Sequence, residues 1–104
     1  MEKSIKTINV LGTPYEIYEL TASEDEQLKH NDAYTNRRLK IIVIDKNNSK
    51  LSKQQLLAHE IIHAFLFESG LDSQSDWATN EEMVDWFALQ LPKINKAIKE
   101  GSAK

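Results

Sequence analysis

The sequence predicts an α+β fold, a small N-terminal antiparallel sheet of about three strands packed on a core of two or three helices. Three observations lead there. Apolar residues alternate with polar ones through the first twenty positions. An aliphatic run, Ile41-Ile42-Val43-Ile44, follows a polar stretch. From about position 52 onward the apolar residues recur at helical spacing, with breaks at Gly70 and Pro92.

Residues 5–20 read as a hairpin. Ile8 and Val10 alternate with polar neighbours, as do Tyr15 and Ile17, and Leu11-Gly12-Thr13-Pro14 between them carries turn chemistry. Residues 21–38 are polar and mixed in charge. A short helix is predicted there from Ser23 to about His30, because serine caps well and Glu24, Asp25 and Glu26 suit a first turn. Residues 39–44 form the strongest strand, apolar on both faces and therefore covered by helices. A turn over residues 45–49 leads to the main helix, predicted to begin near Ser52 with a capping box of Ser52 and Gln55 and to end at Gly70. A loop carrying Trp77 follows. The second helix starts at Thr79 or Asn80, where Thr79 and Glu82 have capping-box spacing. Trp86 is expected in or near the core and Trp77 on a rim. Pro92 is expected to interrupt this helix, with residues 93–99 resuming as a third, basic one.

The chain has 104 residues, the length of one domain, here taken as 1–104. Thirteen basic against sixteen acidic residues give a net charge of −3, which argues against a nucleic-acid partner held by phosphate contacts. No apolar run reaches the length of a signal peptide or a membrane span, so a soluble cytoplasmic protein is expected. Cysteine is absent, which excludes disulfides and thiolate metal sites. Oligomeric state is not legible in the sequence.

The chemistry is concentrated in His59-Glu60-Ile61-Ile62-His63, inside the main predicted helix. Residues four apart on a helix stand one turn above each other, so His59 and His63 can offer two imidazole nitrogens to one ion. Glu60 lies beside the pair, where it can serve as the base for a water on zinc. Two histidines do not complete a zinc site, and the third ligand must come from His30 or a carboxylate. Glu81 and Asp85 are four apart on the second helix and share a face. One of them can bind the ion while the other accepts the distal N–H of a histidine ligand.

Asn80-Glu81-x-x-x-Asp85 is similar to an element of the thermolysin-like metallopeptidases, the gluzincins. Glu81-x-x-x-Asp85-x-Phe87-Ala88 resembles the matching element of the small ImmA/IrrE-like zinc peptidases of bacteria and prophages. The resemblance spans roughly residues 39–91, given His59, Glu60 and His63 upstream. It implies a zincin-like core with the motif helix at its centre. It also implies Glu81 as the third ligand, Asp85 as the support of a histidine, and Glu60 as general base in peptide hydrolysis. Tyr34 and His30, ahead of the apolar strand, are candidates for the donor that holds an oxyanion. In gluzincins an edge strand beside the cleft takes substrate by β-addition, and residues 38–44 are the segment expected to do so. The expected partner is a peptide or protein substrate. The competing reading is a module of the same fold that binds a partner protein around a non-catalytic zinc.

Overall fold

The computed structural model describes residues 4–102. Its elements run in the order β1 (Lys6–Val10), β2 (Thr13–Leu20), β3 (Ala33–Asn36), β4 (Ile41–Asp45), α1 (Lys50–Glu68) and α2 (Glu81–Ser102). Short 3-10 turns occupy Glu26–Lys29, Leu71–Ser73 and Asp76–Thr79. The first hairpin closes through Leu11 and Gly12, both left-handed at φ 53° and 93°. Positive φ at both loop residues is the backbone of the tight turn that matches strand twist, and Gly12 supplies one of them without a Cβ penalty.

The four strands form one sheet in the order β1-β2-β4-β3. β1 and β3 pair antiparallel with their neighbours, whereas β2 and β4 run parallel, with Ile17 opposite Ile42. The expected small antiparallel sheet of about three strands is thus corrected to a mixed sheet of four. A period-two pattern specifies a strand and its buried face but not the direction of its partner. The strand over residues 41–45 also lies inside the sheet, so the expectation that residues 38–44 offer a free edge is corrected. That edge belongs to β3, in the polar segment for which no strand was expected.

One face of the sheet carries Val10, Tyr15, Ile17, Ile42 and Ile44, all buried, against Ala64 of α1. Leu56, Leu57 and Ile61 of α1 pack on the same cluster. Ala64 is fully buried, and its small side chain allows the helix to approach the sheet closely. A second cluster of Leu66, Ala78 and Val84 joins α1 to α2.

The helix ends differ in detail from expectation. Ser49, not Ser52, caps α1, its side chain accepting from the Ser52 amide at 3.1 Å. Gly70, at φ 79°, provides the left-handed residue after the helix. At α2 the cap is Asn80, whose Oδ1 accepts from the Met83 amide at 3.0 Å. Thr79 instead donates to the Asp76 carbonyl, so the capping box with Glu82 is not formed. α2 continues through Pro92 to Ser102 as one helix, so the expected third helix is part of it and no separate one is found among the described residues. The proline removes one backbone donor at a cost of about 3 kcal/mol, which a long helix of otherwise favourable residues can absorb. Trp86 is half exposed on α2 rather than in the core. No helix among the described residues is long and apolar enough to cross a membrane.

Candidate metal centre

Three elements meet at one cleft of about 860 Å³. α1 contributes His59, Glu60 and His63; α2 contributes Glu81 and Asp85; β3 contributes Tyr34 and Thr35. The two histidines project from consecutive turns of α1, with ring centroids 4.8 Å apart and Nε2 atoms 3.1 Å apart. The first turn of α2 faces them because Val84, one residue before Asp85, is fully buried against α1. Glu81 Oε1 lies 2.8 Å from His59 Nε2 and 2.9 Å from His63 Nε2. Asp85 Oδ1 lies 2.8 Å from His59 Nδ1. Glu81 and Asp85 are thereby divided in use, one reaching the pair of Nε2 atoms and the other the far side of a single ring.

The electrostatics of this cluster favour a cation. Partial burial pulls the His59 pKa down, but its bonds to Asp85 and Glu81 and the charge of Glu60 outweigh that, leaving it above the ordinary value. For Glu81, burial pushes upward and is overcome by the bond to His63, then by His59, so its carboxyl is held below its usual value. Two imidazole nitrogens and a carboxylate oxygen converging in this way form a group that could hold a metal ion.

His59, His63 and Glu81 each offer one donor atom, all within 4.8 Å of one another. A tetrahedral zinc with bonds near 2.0–2.1 Å separates its ligand atoms by about 3.3 Å. The cluster needs only to open by a few tenths of an ångström, and two imidazoles with one carboxylate and no sulfur suit zinc. Among the described residues these three are the group so placed.

Glu60 is the one charged residue in the buried set among the described residues, at 8% exposure. Its Oε1 accepts a hydrogen bond from the Thr35 hydroxyl at 2.7 Å. Thr35 was not among the residues singled out in the sequence. Its position on β3 depends on a strand that no alternation announces, and nothing local in the sequence pairs it with Glu60.

The two candidates for oxyanion donor are placed differently. His30 is exposed and does not line the cleft. Tyr34 lines it, but its hydroxyl donates to Asp25, and burial together with that carboxylate pushes the phenol pKa well up. Trp77 does not line this cleft; its ring packs at a tilt of 48° against Phe87, centroids 5.6 Å apart, in a separate apolar groove of about 380 Å³.

The hairpin that carries Thr35 is pinned to the end of α1. Lys40, left-handed at φ 58°, places its Nζ 2.7 Å from Glu68 and 4.8 Å from the Phe67 ring centroid. Arg37 reaches Asp72 at 3.1 Å across the rim of the cleft.

No curated protein and no solved structure matches the chain significantly. A family model does match, over residues 17–93, which include every residue of the cluster just described. By that match the chain belongs to the IrrE N-terminal-like domain family, a metallopeptidase family of the ImmA/IrrE type.

Proposed function

We propose that this protein is a zinc-dependent peptidase in which His59, His63 and Glu81 hold the ion and Glu60 is the general base. The observation that carries the reading is the convergence of three donor atoms from two helices beside a buried carboxylate. Zinc in such a site supplies a Lewis acid that brings the pKa of water toward neutrality and polarises a carbonyl. The chain's own residues do the rest. Glu60 Oε2, the oxygen not bonded to Thr35, takes a proton from the attacking water and delivers it to the leaving amine nitrogen. Asp85 accepts from His59 Nδ1, which holds that ring with Nε2 toward the ion.

Membership of a peptidase family implies a protein substrate, and the free edge of β3 supports a place for it. Asp45 N donates to Asp32 O, and the register of β3 with β4 is regular from there. In an antiparallel ladder alternate residues exchange both bonds with the partner, so Tyr34 and Asn36 face β4. The backbone groups of Ala33 and Thr35 then face outward, ready to pair with an extended peptide.

The test is turnover of a peptide library by wild type and Glu60→Gln, with zinc content measured in both. The reading expects about one zinc per chain in each and cleavage by the wild type alone. A wild type that binds zinc and cleaves nothing in the library favours the protein-binding module; equal cleavage by both removes Glu60 as base.

A further inference from the structure

We infer that Thr35 is a positioning residue, setting the Glu60 carboxylate against the strand edge that bears the substrate. The inference rests on the peptidase reading and adds a residue to it. Thr35 has two outlets. Its side chain crosses from β3 to α1, where Oγ1 lies 2.7 Å from Glu60 Oε1 and 3.2 Å from the Glu60 carbonyl oxygen. Its backbone N–H and C=O point to the open edge of the sheet, as the β3–β4 register requires. One residue therefore touches both the base and the strand beside which a peptide would lie.

The chemistry requires such a device. A carboxylate on a helix turns freely about its last bond unless something holds it. Glu60 is almost fully buried, where an ionised group without a donor is costly, and the Thr35 hydroxyl is the side-chain donor that meets it. Holding Oε1 leaves Oε2 for the proton and prevents the plane of the carboxylate from swinging away from the water. The β3–β4 hairpin is itself fastened to α1 by Lys40 and Glu68, so the hydroxyl arrives from a fixed platform.

Thr35→Val removes the hydroxyl and keeps the shape of the side chain; Thr35→Ser keeps the hydroxyl. The expected result for Thr35→Val is a zinc affinity within about twofold of wild type, an unchanged KM and a kcat lower by roughly ten- to a hundredfold. Thr35→Ser restores most of the turnover. A second readout is independent of activity. Thr35→Val lowers the urea midpoint more when Glu60 is present than in a Glu60→Ala background, where only the longer contact to the residue-60 carbonyl remains to be lost. An equal drop in both backgrounds, or full turnover by Thr35→Val, overturns the positioning role and leaves the peptidase reading standing. If the wild type cleaves no peptide while the midpoint coupling persists, the peptidase reading fails and the Thr35–Glu60 contact is structural only.

Discussion

If His59 is a ligand as proposed, replacing Asp85 by alanine separates the support of that ligand from the ligand itself. The carboxylate stands 2.8 Å from His59 Nδ1, and its side chain is 69% exposed. Removing it leaves the His59 ring free to rotate and less basic at Nε2. Loss of such a partner typically weakens a metal site by about ten- to a hundredfold. The exposure of Asp85 lets water take over part of its role, so the expected loss lies at the lower end, about tenfold, or about 1.4 kcal/mol. Glu81→Ala, which deletes one of the three donor groups, is expected to cost more than Asp85→Ala under identical conditions. The assay is competition for zinc against a chromophoric chelator at fixed pH and salt. An Asp85→Ala affinity within twofold of wild type would refute the orienting role. A loss as large as that of Glu81→Ala would make Asp85 a ligand.

Three further outcomes are expected. Zinc at a hundredfold excess over its dissociation constant should stabilise the fold by about 2.7 kcal/mol, and a chelator should remove that gain; a midpoint indifferent to zinc would mean that the folded chain does not bind it. Ile42→Ala, at a fully buried position between the sheet and α1, should cost about 2–5 kcal/mol in urea unfolding, and a loss below 1 kcal/mol would contradict the core described above. Glu68 is held below its ordinary pKa of 4.5, first by the bond from Lys40 and then by that from Tyr15. A lowered folded pKa contributes stability above the unfolded value and loses it as pH falls through the folded one. The stability difference between wild type and Glu68→Gln should therefore be constant from neutrality down to about pH 5 and shrink below that; a difference unchanged down to pH 3 would show that the Glu68 carboxylate is not specifically stabilised in the folded state.

The parts of this molecule that were legible in the sequence are those governed by local periodicity. His59 and His63 share a helix face because of the helical repeat alone, and the strand over residues 41–45 announces itself by four consecutive aliphatic residues. The hairpin was equally plain, since turn residues separate two alternating runs. What was hidden depends on distant partners. Ala33–Asn36 is short and partly polar, and it is a strand because β4 offers it an edge. The parallel pairing of β2 with β4 joins segments separated by β3 and a 3-10 turn, which no local pattern encodes. Thr35 was invisible for the same reason, since its significance lies in the helix across from it. Pro92 misled in the opposite sense, because a finite local penalty was read as a stop.

Diffraction from zinc-soaked crystals, recorded on both sides of the zinc absorption edge, probes the His59, His63 and Glu81 cluster most directly. The proposed site predicts one anomalous peak about 2.0–2.2 Å from His59 Nε2, His63 Nε2 and a Glu81 carboxylate oxygen. A peak held by other groups with Glu81 turned away, or no peak in this cleft at saturating zinc, would contradict it.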